Sequence, residues 1–225
     1  MSFFISTKRD LANNQDRIAK AEQRGTLPYF VRDNREMLGL AKTTNSGGMK
    51  GGKHLGCKEE KEAYIAYSRK GNSVTTLTKE QIANRNELAE LLGIPKEEIL
   101  PFMEHQEANK RFANIDYGKN ESFFNNCQSC VVAYEARRRG LDVTALGYDY
   151  NTNSPSYRLS EDCSLSFKNA NVQIITEKKQ LNMKMINNAT REQGRYFLGW
   201  DKERKDGHII IAERMKDRTL VFYDP

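Results

Sequence analysis

Asn126-Cys127-Gln128-Ser129-Cys130-Val131-Val132-Ala133-Tyr134-Glu135-Ala136-Arg137-Arg138-Arg139-Gly140 reads as one capped helix that opens on a cysteine. Asn126 is suited to the N-cap, where a side-chain oxygen can accept from first-turn N–H groups. Gly140 falls where a left-handed residue ends a helix. Arg137, Arg138 and Arg139 occupy the last turn, where positive charge suits the dipole, and they are expected as a solvated helix end. Cys127 is then the first helical residue. Unpaired N–H groups and the positive dipole end favour a thiolate there, which turns an apolar side chain into a nucleophile.

Outward from this helix, the rest of the chain reads as α+β. The strand signal Leu141-Asp142-Val143-Thr144-Ala145-Leu146 follows at once. The C-terminal third offers strands at residues 172–176, 195–200, 208–212 and 219–223, with a helix at 178–188 among them. Upstream, Thr78-Lys79-Glu80-Gln81 is a capping box. The helix it opens has Ile82, Leu88, Leu91 and Leu92 on its apolar face and Gly93 as its stop. Pro95-Lys96-Glu97-Glu98 begins a further short helix. Residues 104–122 are polar and read as a surface connection. A polar helix is expected at 7–24, and Ser46-Gly47-Gly48-Met49-Lys50-Gly51-Gly52-Lys53 as a flexible linker. The expected organisation is an N-terminal helical arm with its Gly/Lys-rich linker (1–60), a helical segment (61–118) and a catalytic domain (119–225).

The 225 residues carry 36 Lys+Arg against 30 Asp+Glu, with acids and bases interspersed. A net charge of +6 spread in this way is weak evidence for nucleic acid, which calls for a concentrated basic stripe. No stretch has the apolar length of a membrane span, and Phe3-Phe4-Ile5 is too short for a signal-peptide core. A cytoplasmic or virion-associated chain is expected, with Cys57, Cys127, Cys130 and Cys163 as free thiols.

A thiol nucleophile needs a base, and the base needs an orienting group. Of the three histidines, His54 sits in the glycine-rich segment and His105 in the polar connection, poor places to fix an imidazole. His208 begins the run Ile209-Ile210-Ile211, which returns as Thr219-Leu220-Val221-Phe222-Tyr223-Asp224. A turn at Met215–Asp217 would set His208 opposite Asp224, with Cβ atoms roughly 5 Å apart. A turn at Lys216-Asp217 would set it opposite Pro225, with Asp224 on the wrong face. The candidate catalytic residues are therefore Cys127, His208 and Asp224. Cys130, one turn deeper, is the second-choice nucleophile. Asn126 or Asn125 is a candidate donor to an oxyanion beside the Cys127 N–H, and Trp200 a candidate to line the cleft. Two other readings of Cys127-x-x-Cys130 remain open: a redox pair, and a zinc site with Cys57 and Cys163. Neither a metal nor a cofactor is expected for the hydrolase reading.

Asn126-Cys127-x-x-Cys130 running into Arg-Arg-Gly140 and Leu141-Asp142-Val143-Thr144-Ala145-Leu146, with Gly207-His208 and the ending Tyr223-Asp224-Pro225, resembles the papain-fold toxin family. Such domains occur in bacterial polymorphic toxins and in phage minor head (head morphogenesis) proteins. The resemblance covers residues 120–225. It implies a papain-like fold, with a nucleophile helix packed on an antiparallel sheet, and a Cys-His-Asp triad acting on a protein carboxamide or peptide bond. Glutamine deamidases and peptidases are the activities it implies. A phage setting adds capsid or portal subunits as partners, and with them the alternative of an assembly protein whose papain-like domain is inactive.

Overall fold

In the computed structural model, the residues described are 3–6, 40–42, 71–109, 113–114, 116–118, 121–148, 171–174, 182–200 and 207–225. The elements in chain order are β1 (Phe3–Ser6), β2 (Leu40–Lys42), α1 (Lys79–Leu92), α2 (His105–Ala108), α3 (Cys127–Arg138), β3 (Val143–Ala145), β4 (Asn171–Ile174), α4 (Met183–Ala189), β5 (Gly194–Trp200), β6 (His208–Arg214) and β7 (Leu220–Tyr223). Short 3-10 turns occupy Lys96–Glu98 and Glu121–Phe123. The expected helix at 7–24, the glycine-rich linker, His54, Cys57 and Cys163 lie outside the described residues.

The chain is α+β. A five-stranded sheet runs in the order β4-β1-β5-β6-β7, and β2 pairs with β3 separately. β5, β6 and β7 are antiparallel, as the alternating C-terminal strands imply. The N-terminal strand β1, placed by sequence in a helical arm, inserts between β4 and β5 and runs parallel to both. Pleat alternation divides the two faces. Phe197, Ile209, Ile211, Val221 and Tyr223 join one core cluster with α3. Tyr196, Leu198 and Ala212 join another with Ile186 and Ala189 of α4.

Helix α3 is the centre of the larger cluster. Every residue from Ser129 to Arg138 is buried, so this is a core helix, with the sheet on one side and α1 and α2 on others. Each fully buried Val or Leu in it contributes about 1.5–3 kcal/mol. The cluster takes in Leu88, Ala89, Leu92, Met103 and Ala108 together with α3 and β6, so the core continues across the expected boundary at residue 119.

α1 has the capping box and the Gly93 left-handed stop that its sequence predicts. Ile82, assigned to its apolar face, is instead 37% exposed, and Asn84 is buried. The expected end of α3 is also present. Gly140 has φ +102, its N–H donates to Arg137 O (2.7 Å), and Leu141 N–H donates to Ala136 O (3.1 Å), a Schellman closure. A Cβ on Gly140 would lie 2.0 Å from Leu100 O, so close backbone approach also requires glycine here.

Two expectations are overturned. Arg137, Arg138 and Arg139 are not a solvated end; they are 2%, 1% and 3% exposed. Each is buried because it finds fixed acceptors. Arg137 donates to Val143 O and Ala108 O. Arg138 bonds Glu213 (2.9 Å), Met103 O, Ser73 and Val74 O. Arg139 bonds Glu135 and Asn84. Arg195 grips the same Glu135 from β5 at 2.7 Å. Burial pushes the Glu135 carboxyl up, but Arg195 and Arg139 outweigh it and hold the group at about 2. Burial also pushes Glu213 up to about 8, opposed by the Val74 N–H, and its Oε2 lies 2.9 Å from the Arg138 guanidinium.

The segment around 104–122 is likewise no mere surface connection. His105, Ala108, Ala113 and Asn114 are buried. The His105 ring is held in the core by Tyr134 Oη (Nδ1, 2.7 Å) and edge-on by Tyr223. Tyr223 in turn bonds Asn109. This imidazole is rigid, contrary to expectation, because the polar residues around it pair with one another inside the fold.

Candidate functional site

Cys127 stands at the first position of α3, half-buried, at the edge of the core it packs against. The chain reaches it through a pinned approach. Tyr148 N–H donates to Ser122 O (2.7 Å) and Asn114 Nδ2 donates to Phe123 O (2.7 Å). Asn126 then turns with φ −101 and ψ 25, and its carbonyl accepts the first helical bond from Cys130 N–H.

Asn126 does not cap the helix with its side chain. Its amide is 3% exposed and engaged on both ends. Nδ2 donates to Asn114 Oδ1 (3.1 Å) and Leu146 O (3.0 Å), while Oδ1 accepts from Asn114 Nδ2 (2.9 Å) and Cys130 Sγ (3.4 Å). Both amide hydrogens have partners, so the side chain is not placed to donate to an oxyanion. It fixes the backbone that carries Cys127. Asn125 is exposed. Without a side-chain cap, the first-turn N–H of Cys127 keeps the outward direction of a helix N-terminus.

His208 is delivered by the β6–β7 hairpin. Ile211 pairs with Tyr223 and Arg214 with Leu220, and Met215 N–H donates to Thr219 O, so the loop is Lys216-Asp217-Arg218. Neither register considered from sequence is the one adopted. The loop has three residues but begins one position later, with Arg218 left-handed (φ 67), a type I turn closed by a bulge. Extending this register sets Asp224 beside Ile210, diagonal to His208 on the same pleat face. Parity is kept, and His208 Nε2 lies 2.9 Å from Asp224 Oδ2. On the other side, β6 pairs His208 with Trp200 of β5.

The imidazole meets the helix start. His208 is pushed up from 6.5 to about 10, first by the hydrogen bond to Asp224 and then by one with Cys127, with burial acting against both. Asp224 engages Nε2, and the Cys127 side chain is the second hydrogen-bond partner of the ring. Three residues distant in sequence thus form one chain of contacts: sulfur, ring, carboxylate. Cys130 differs from Cys127. It is 3% exposed, and burial, followed by the neighbouring Cys127 and Asp224, pushes its thiol well up. It packs beneath the site.

No group of three or more His, Cys, Asp or Glu able to hold a metal occurs among the described residues; Cys57 and Cys163, which the zinc reading requires, lie outside them. No helix among the described residues is long and apolar enough to cross a membrane. Asn114, the reciprocal partner of Asn126, escaped the sequence reading, since nothing in a polar run marks an inward-facing amide. Glu135, four residues before Arg139, carried an available signal of helical pairing. No protein-family model, curated protein or solved structure matches the chain.

Proposed function

We propose that the chain is a papain-like cysteine hydrolase acting on a carboxamide or peptide carbonyl, with Cys127 as nucleophile, His208 as proton carrier and Asp224 as the group that orients the ring. The observation that carries this reading is the His208 imidazole bonded to Asp224 through Nε2 and hydrogen-bonded also with the Cys127 side chain. Its raised proton affinity suits a group that carries a proton to a leaving nitrogen. The family resemblance of residues 120–225 points the same way.

The chemistry is acyl transfer. Cys127 sulfur attacks the carbonyl carbon, and the developing oxyanion is met by the Cys127 backbone N–H at the positive end of α3. His208 gives its proton to the leaving nitrogen, the C–N bond breaks, and a thioester remains. Neutral His208 then takes a proton from water, whose oxygen displaces sulfur. Ammonia leaves a glutamine side chain and an amine leaves a peptide bond, so deamidation and proteolysis use the same steps. Asp224 holds the ring orientation through both.

Alkylation by iodoacetamide at neutral pH, mapped by mass spectrometry over all four cysteines, tests the reading. Cys127 is expected to react fastest, and His208→Ala to slow it by about tenfold or more. A Cys127 that reacts no faster than Cys57 or Cys163, and that ignores His208→Ala, would remove the nucleophile.

A further inference from the structure

Helix geometry places Cys127 and Cys130 three residues apart in the first turn of α3. With a rise of about 1.5 Å per residue and a Cα radius of about 2.3 Å, their Cα atoms are separated by about 5 Å. That is within the 4.4–6.8 Å span that a disulfide bridges. The two thiols face different surroundings. Cys127 is half-buried at the mouth of the site, whereas Cys130 is 3% exposed, its S–H directed at Asn126 Oδ1. Asn126 is itself clasped by Asn114 and Leu146 O, so the floor beneath Cys127 is fixed. Cys127 is thus the more accessible of the two residues to a solvent oxidant. The mechanism above uses Cys127 and leaves Cys130 without a role.

We propose that Cys127 and Cys130 form a peroxide-driven reversible disulfide, with Cys127 as the sulfur oxidised first and Cys130 as the resolving thiol. The inference rests on the reading of Cys127 as the reactive thiol of the site. In the first step Cys127 sulfur attacks one oxygen of hydrogen peroxide. The O–O bond breaks, Cys127 becomes a sulfenic acid, and the departing hydroxide takes a proton from His208 to leave as water. In the second step Cys130 sulfur attacks the sulfenic sulfur as its own proton is lost. The S–O bond breaks, the S–S bond forms, and a second water leaves. Two thiols are oxidised by two electrons and one peroxide is reduced to two waters. A dithiol reductant reverses the bond by exchange. The disulfide shields the nucleophile from irreversible oxidation while it silences it.

The test treats the full chain with a small excess of hydrogen peroxide, after a parallel sample has been scored for Cys127 alkylation by iodoacetamide. Peptide mapping is expected to show the peptide holding both cysteines lighter by two hydrogens, and dithiothreitol to restore Cys127 alkylation in full. In Cys130→Ala, and in Cys130→Ser as a second variant, Cys127 is expected to proceed to sulfinic and sulfonic acid, with recovery lost. Fast alkylation of untreated Cys127, together with peroxide products that are overoxidised in wild type as in Cys130→Ala, would overturn the resolving role and leave the hydrolase reading standing. Pairing of Cys127 with Cys57 or Cys163 would overturn it equally. Slow alkylation with no disulfide would sink both.

Discussion

His208 Nε2 and Asp224 Oδ2 stand 2.9 Å apart, joined diagonally across the open end of the β6–β7 hairpin. The relationship has a definite pH signature. The fold raises His208 from 6.5 to about 10, chiefly through Asp224. Its stabilising contribution is therefore fully present below pH 6.5 and is lost as pH rises through about 10. Asp224→Asn is expected to lower the ring's titration midpoint. Its melting temperature should fall below wild type near neutrality, and the two curves should converge at high pH. Thermal melts of both proteins across this range check the effect. Parallel curves with a constant offset would count against the pairing.

Glu135 gives the opposite sign. Its carboxyl is held at about 2 against an ordinary 4.5, because Arg195 and Arg139 overcome burial. That stabilisation is complete above pH 4.5 and disappears as pH falls through about 2. Glu135→Gln is expected to reduce stability at neutral pH and to flatten the acid limb of the melting profile. A variant with the wild-type acid limb would contradict it.

The Arg138–Glu213 pair, with both side chains fully buried, should be expensive to break and cheap to replace. Arg138→Met alone removes the guanidinium's bonds and leaves the buried Glu213 Oε2 without its partner, and is expected to cost about 3 kcal/mol. Adding Glu213→Leu should recover much of that loss, less the bonds to Ser73 and Val74. Urea unfolding of the two singles and the double measures the coupling, and simple additivity would refute it.

Gly140→Ala meets Leu100 O and a φ of +102 together. The loss is expected to be on the order of 4 kcal/mol, since backbone must move and the Leu100 N–H bond to Gly140 O breaks with it. Arg218→Gly acts in the other direction. The left-handed turn position suits glycine, and a gain of about 1 kcal/mol is expected in denaturant unfolding.

Local signals in the sequence are legible where a single residue type fixes the backbone. The capping box at Thr78, the Gly140 stop, the helix beginning at Cys127 and the β5–β7 strands follow from such signals. Buried polarity is not legible in the same way. Three consecutive arginines look the same on paper whether solvated or gripped by Glu135, Glu213 and backbone carbonyls, because their partners come from residues 29 to 75 positions away as well as from one turn. Asn126 reads as a cap because its true partner, Asn114, is twelve positions away in the chain. The hairpin register turned on Arg218, whose left-handed conformation is unusual for arginine. The true pairing shifts the Met215–Asp217 alternative by two residues, which keeps Asp224 and His208 on a shared face.

The central claim is that the Cys127 sulfur and the His208 ring act on one another. The direct measurement is the NMR titration of the His208 ring protons in wild type and in Cys127→Ala. The wild-type midpoint is expected well above 6.5, toward about 10, with a clear downward shift when the sulfur is removed and Asp224 is still in place. An identical His208 midpoint in both proteins would contradict it.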